Sequence, residues 1–206
     1  MSGNDLLSPI GEHNIQTGEV LPTSPKSSYG GLIIKHGEVN TNIRGSIHKH
    51  HYGNNGVDFT FSDFVDASIK LFEDLDLDPF EVVVRSFEFG VNEILPDNIS
   101  AKSFLRHCKA LKGEPISCKK YQDTKALFCE IETQNHTLKI YQKGVQQIKI
   151  VDGISPNLLR CELKVTRMAH CEDVGITTNA PFANFLDPSK SFHLIKLLKI
   201  EFDKIA

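Results

Sequence analysis

The polar and apolar positions of this chain alternate in some stretches and recur at helical spacing in others, and most of the elements follow from that. Gly31 to Lys35 and Val39 to His50 read as strands, the second with Val39, Ile43 and Ile47 set among Asn, Arg, Ser and His. Phe61, Phe64, Val65, Ile69 and Phe72 recur as one helical stripe, with Thr60 as cap. A strand is expected over residues 81–92. A helix follows over 100–111, with Ser100 as cap and Phe104, Leu105, Cys108 and Leu111 on its stripe. Residues 115–121, 126–133 and 137–143 read as strands, the last two joined by the short turn Gln134-Asn135-His136. One more strand is expected over Leu158–Thr166. The C-terminus reads as a helix with Asp187 as cap, Pro188 in its first turn, and Phe192, Ile195, Leu198 and Phe202 facing the core. This order predicts an α+β protein: a central antiparallel sheet with helices packed on one face. Residues 1–30 are rich in Gly, Pro, Ser and Asn and read as a flexible arm with room for one short strand, leaving residues 31–206 as a single domain.

If helices cover one face of the sheet, the other is free for chemistry, and parity lists what it carries. In the strand ending at Asn92, Ser86, Glu88, Gly90 and Asn92 share the polar side, and Gly90 leaves room for a ligand. Thr137, Lys139, Tyr141 and Lys143 form the polar set of the next strand considered, placing a phenol outward between two ammonium groups. Arg160, Glu162, Lys164 and Thr166 form a third set. His48 and His50 share a face if residues 39–50 are extended.

Two carboxylates, one or two imidazoles, a phenol and several cations are the parts of a metal-assisted phosphodiester transesterification. Carboxylate oxygen and imidazole nitrogen bind Mg²⁺ or Mn²⁺, which polarises the phosphate. A tyrosine with pKa ~10 needs a cation beside it to act as a nucleophile, and Lys143 is the sequence candidate. Each residue also has an ordinary reading. Glu162 can be a cross-strand partner of Lys139 or Lys164, Glu88 an exposed sheet residue, Tyr141 an amphipathic-strand tyrosine, and the histidines a solvated strand end.

Composition changes this picture little. The chain has 206 residues, 40% hydrophobic and 24% charged, as a soluble globular protein does. No apolar run is long enough for a membrane span, and no signal-peptide pattern opens the chain, so a cytoplasmic protein is expected. The formal charge of −3 hides an asymmetry. Residues 1–100 hold 6 Lys/Arg against 15 Asp/Glu, whereas residues 101–206 hold 17 against 11. The second half therefore suits a phosphate backbone better than the first. Five cysteines without a C-x-x-C pair read as reduced, mostly buried thiols rather than a zinc site.

Five strings carry a resemblance. In order they are Gly45-Ser46-Ile47-His48-Lys49, Asp58-Phe59-Thr60-Phe61-Ser62-Asp63, Phe87-Glu88-Phe89-Gly90-Val91-Asn92, Leu138-Lys139-Ile140-Tyr141-Gln142-Lys143-Gly144 and Leu159-Arg160-Cys161-Glu162-Leu163-Lys164-Val165. Together they resemble the phage and plasmid rolling-circle replication initiators of the filamentous-phage gene II/X type, over roughly residues 40–205. The resemblance implies an HUH-like replication endonuclease of the host bacterial cytoplasm, which nicks and rejoins single-stranded or origin DNA through a 5′-phosphotyrosine. It also admits host replication machinery as a partner. In these terms Tyr141 is the nucleophile with Lys143 beside it, and Glu88, Glu162, His48 and His50 are the Mg²⁺ or Mn²⁺ ligand set. Lys139, Arg160 and Lys164 then meet the DNA. Two positions depart from the pattern: Lys49 stands between the histidines where a bulky hydrophobic residue is usual, and Gln142 stands where Asp is common. The alternative function is a non-catalytic single-stranded nucleic-acid-binding module of the same fold. A third reading is a protein–protein scaffold with a solvated sheet.

Overall fold

A computed structural model describes residues 8–10, 26–108, 110–111, 114–116 and 118–205. The chain divides into two compact units, residues 1–78 and 79–206.

In the first unit, β1 (Ser8–Ile10), β2 (Lys26–Tyr29), β3 (Leu32–His36) and β4 (Thr41–Arg44) form an antiparallel four-stranded meander. The arm boundary expected at residue 30 falls inside the β2–β3 hairpin, where Gly30 and Gly31 take positive φ. The rest of the expected arm, residues 1–7 and 11–25, lies outside the described residues. The strand expected over residues 39–50 ends at Arg44. Ser46 accepts a hydrogen bond from the Lys49 backbone N–H and starts a helix, α1 (Ile47–Tyr52), which Gly53 closes with φ 74°. α2 (Phe61–Asp74) forms where its spacing predicted. Thr60 and Asp63 make a reciprocal capping box at its start. Its buried stripe is Ala67, Ser68, Leu71 and Phe72, so Ile69 points to solvent instead of the core.

The second unit is built on a five-stranded antiparallel sheet in the order β5-β11-β10-β9-β8. These strands are β5 (Phe87–Ile94), β8 (Cys118–Lys120), β9 (Leu127–Glu132), β10 (His136–Gln142) and β11 (Leu158–Val165). The strand expected from residue 81 starts later. Val82, Val83 and Val84 pair instead with residues 180–182, so Arg85 lies before β5 rather than within it. A two-stranded ribbon joins β6 (Ala110–Leu111) to β7 (Glu114–Pro115).

The alternating apolar residues Leu138, Ile140, Leu163, Val165 and Cys129 are almost wholly buried. Against this face lies α3 (Ala101–His107), capped by Ser100; its Leu105 carbonyl accepts the thiol hydrogens of Cys118 and Cys129. A 3₁₀ segment (Phe182–Leu186) brings Phe185 edge-on to Phe87 on the same face. The C-terminal helix begins at Asp187 and Pro188 as expected; with the short α4 (Lys143–Gln147) before it, it is α5 (Pro188–Phe202). Its buried residues are Leu197, Leu198 and Glu201, while Phe192 and Ile195 are exposed, so the expected core stripe is rotated. The architecture is mixed α+β with antiparallel sheets, as the element order predicts.

All five cysteines are free thiols and four of them are buried. Among the described residues, no helix is long and apolar enough to cross a membrane.

Candidate functional site on the polar face of the sheet

The antiparallel registers put the expected residues on one surface. Lys164 lies opposite Glu88 on one side and Thr137 on the other. Glu162 lies opposite Gly90 and Lys139, and Arg160 opposite Asn92 and Tyr141. β9 adds Glu130 opposite Lys139, Glu132 opposite Thr137 and Phe128 opposite Tyr141. Because side chains alternate, all of these point away from α3. They surround an open depression of about 320 Å³, lined by Glu88, Glu130, Glu132, Thr137, Lys139, Glu162 and Lys164. Four carboxylates against two ammonium groups make it acidic.

Tyr141 and Glu162 meet at one edge. The phenol donates a hydrogen bond to Glu162 Oε1 at 2.8 Å, and Arg160 Nε donates to the same oxygen at 2.5 Å. Arg160 Nη1 is held in turn by Asn92 Oδ1 at 3.0 Å. The sequence reading placed the phenol facing outward; it is on the expected face but only 3% exposed. Tyr121, in the loop after β8, stands edge-on to its ring with centroids 6.1 Å apart, and Phe128 packs against Tyr121 at 4.6 Å. Burial, followed by the Glu162 charge, pushes the Tyr141 phenol well above its ordinary pKa, and Arg160 only partly offsets this. The resting residue is a neutral phenol aimed at a carboxylate.

Lys143 does not belong to the polar strand face. The strand ends at Gln142, and Lys143 opens α4 with its side chain fully buried, the ammonium 5.8 Å from the Tyr141 ring centroid. Arg160, expected as a DNA contact, is instead the cation that faces the phenol's partner. Lys139 binds Glu130 at 3.6 Å and lies 5.0 Å from the centroids of both the Tyr121 and Phe128 rings. Lys164 is exposed on this face. Gly90 does not leave an empty space, because a Cβ there would sit 2.5 Å from the Cys161 carbonyl and 2.8 Å from Glu162 Cγ. The absent side chain is what lets Glu162 lie across β5.

Glu88 and Glu162 are diagonal neighbours on adjacent strands. Partial desolvation, then the Glu162 charge, raises Glu88 above the usual carboxylate range against the pull of Lys164, Arg160 and Lys139. Two carboxylates this close, one of them raised by the charge of the other, fit a divalent cation, whose charge removes the repulsion.

His48 and His50 are on α1, where residues two apart point in widely different directions, so the shared strand face expected for them does not exist. His48 is buried and stacks on Phe59 with ring centroids 4.5 Å apart and planes 8° apart. His50 Nδ1 donates to the Gly30 carbonyl at 3.1 Å. Both lie in the first unit, whereas Glu88, Tyr141 and Glu162 lie in the second. Sequence parity missed Glu130 and Glu132, although both alternate with buried Cys129 and half-buried Ile131 in β9. It also missed Tyr121, a loop residue that no strand period reveals.

No known protein family matches this chain, and no curated protein or solved structure is significantly similar to it.

Proposed function

We propose that the second unit is a metal-dependent DNA nicking and closing endonuclease of the rolling-circle type, with Tyr141 as nucleophile. The observation that carries this reading is the 2.8 Å hydrogen bond from the Tyr141 phenol to Glu162, beside a second carboxylate, Glu88, on an acidic, open surface. Glu88 and Glu162 would hold Mg²⁺ or Mn²⁺, and a bound divalent ion supplies Lewis-acid polarisation of the phosphate.

The chain's own residues divide the remaining work. Glu162 accepts the phenolic proton as Tyr141 Oη attacks phosphorus. The bond from phosphorus to the 3′-oxygen breaks, leaving a 3′-hydroxyl after protonation by solvent and a 5′-phosphate ester on Tyr141. Rejoining is the reverse, with the 3′-hydroxyl as nucleophile and the phenolate as leaving group. Arg160, fixed by Asn92, keeps Glu162 oriented and lowers the energy of the forming phenolate. Lys164 offers an exposed ammonium to the strand's phosphates. Because four carboxylates line the depression, DNA affinity depends on the cation as much as on the lysines.

One observation favours a second reading, a single-stranded nucleic-acid-binding module. The phenol is buried under Tyr121, and Tyr121, Phe128 and Lys139 form an aromatic and cationic cluster suited to stacking a base. Covalent capture separates the two. The full chain, incubated with a pool of single-stranded oligonucleotides and Mn²⁺, should give a DNA-shifted band that survives denaturation. EDTA should abolish it, and Glu162→Gln should reduce it at least a hundredfold. Binding without any denaturation-resistant band would favour the binding module.

A further inference from the structure

A second cluster of metal-ligating groups lies across the sheet from the site above. His136 opens β10 on the face covered by helices, in step with Leu138 and Ile140. His170 lies in the 3₁₀ segment Met168–Val174, and Glu201 in the last turn of α5. One ligand atom from each lies within 4.8 Å of the other two. His136 Nε2 is 3.3 Å from Glu201 Oε2, and His170 Nε2 is 3.7 Å from Glu201 Oε1. The two imidazoles stack with centroids 4.0 Å apart. The Glu201 side chain is 3% exposed and that of His136 8%.

The Thr133 hydroxyl lies 2.8 Å from the His136 carbonyl and 3.1 Å from His136 Nδ1, and so fixes the ring with Nε2 turned to the Glu201 carboxylate. In the tautomer with its hydrogen on Nδ1, Nε2 directs a lone pair at that carboxylate, and a cation between them removes the repulsion. Protonation of both rings would stack two imidazolium ions face to face. A single divalent ion satisfies both rings and the carboxylate together. The Thr133 hydroxyl is the orienting partner that a metal-ligating imidazole ordinarily has on its other nitrogen.

We propose that His136, His170 and Glu201 form a binding site for a divalent transition-metal ion, with Zn²⁺ the best chemical fit. Two imidazole nitrogens and one carboxylate oxygen suit this borderline ion, and with bonds of ~2.1 Å a tetrahedral centre spaces its ligand atoms about 3.4 Å apart. The 3.3 Å from His136 Nε2 to Glu201 Oε2 is close to that value, and His170 Nε2 lies 3.7 Å from the other oxygen of the same carboxylate. A water completes the tetrahedron on the side of His170, the more exposed of the two rings. The Lys204 ammonium already lies on Glu201 Oε1 and is the group that a metal competes with. Bound there, the ion clips the start of β10, the 3₁₀ segment and the C-terminal helix together, three elements distant in sequence. The site is independent of the polar face and of any activity there.

The test uses the full chain with Co²⁺ and Zn²⁺ alone as probes. Stoichiometric Co²⁺ should give the visible d–d bands of a four-coordinate nitrogen/oxygen site without a thiolate charge-transfer band. Zn²⁺ should displace it and raise Tm by several degrees. His170→Gln, a replacement at the more accessible ring, should lose both signals while retaining the far-ultraviolet spectrum of the wild type. Lys204→Ala should bind Zn²⁺ several-fold more tightly. Absence of the Co²⁺ bands in wild type, a thiolate band, or equal Zn²⁺ response in wild type and His170→Gln would each overturn the site.

Discussion

Burial and charge leave Tyr141 and Glu88 unfavourably placed in the resting protein, each for its own reason. The chain has four tyrosines, and burial raises the phenol pKa of each, Tyr29 to about 12 beside Asp74. None is ionised in advance, and Tyr29 and Tyr52 also donate to carboxylates, Asp74 and Asp63; what distinguishes Tyr141 is that its carboxylate, Glu162, lies with a second one, Glu88, around the open depression of the polar face. The sequence indicated the face on which Tyr141 lies, but not its cover, because Tyr121 reaches it from a loop. Glu88 gives the clearest residue-scale consequence. Its folded-state pKa is raised, so its contribution to stability is fully present below the unfolded carboxylate pKa and is lost as pH rises through the folded value. At pH 7 the ionised form therefore costs stability. Glu88→Gln should raise Tm in EDTA by about 1–3 °C at pH 7, a small shift because solvent screens the exposed rim. The gain should disappear near pH 4, where the wild-type carboxyl is itself protonated. Thermal melts at the two pH values check this, and Mg²⁺ should stabilise wild type more than Glu88→Gln.

At the scale of elements, strict alternation was a dependable guide where a strand is covered on one side only. β9, β10, β11 and the second half of the β5 region lie where the period of two placed them. It held over Thr41–Arg44 and failed at residues 45–50, where a run of Ser, His and Lys has no strong period. There the Ser46 cap and the Gly53 terminator decide for a helix, and with it the relation between His48 and His50. It failed again at Lys143, because parity cannot say where a strand stops. The stop has a physical cause in the next residue. A Cβ on Gly144 would lie 1.8 Å from the Ser155 carbonyl oxygen, so the chain turns into α4 beneath the 153–156 loop only with glycine there. Gly144→Ala should therefore destabilise the protein by about 1–3 kcal/mol, as overpacking of a tight site does. Urea unfolding would measure it, and a change below ~0.5 kcal/mol would show that the loop yields freely. The helical stripes were legible in existence but not in phase. Ile69, Phe192 and Ile195 are exposed while Ser68 and Glu201 are buried; the Glu201 carboxylate is taken inside by its partners His136, His170 and Lys204, and hydrophobicity along the helix alone does not show them.

At the scale of the whole molecule, the chain places its candidate chemistry in its second unit and most of its acidic excess in its first. The α+β class and the antiparallel sheet were legible from the order of strand and helix periods, but the strand order β5-β11-β10-β9-β8 was not. The division at residue 78 was not, since the acidic turn 74–79 reads as an ordinary loop between elements. Glu201 and His170 were likewise illegible as partners of His136, because three separate elements must fold before they meet. Tyr141 is the residue on which the proposed chemistry turns. The full chain should be incubated with single-stranded DNA and Mn²⁺, denatured and digested, and its nucleotide-bearing peptide sequenced by mass spectrometry. The account predicts a phosphodiester-linked nucleotide on Tyr141 and on no other tyrosine, and none in Tyr141→Phe. An adduct on Tyr29, Tyr52 or Tyr121, an adduct in Tyr141→Phe, or no adduct in wild type would contradict it.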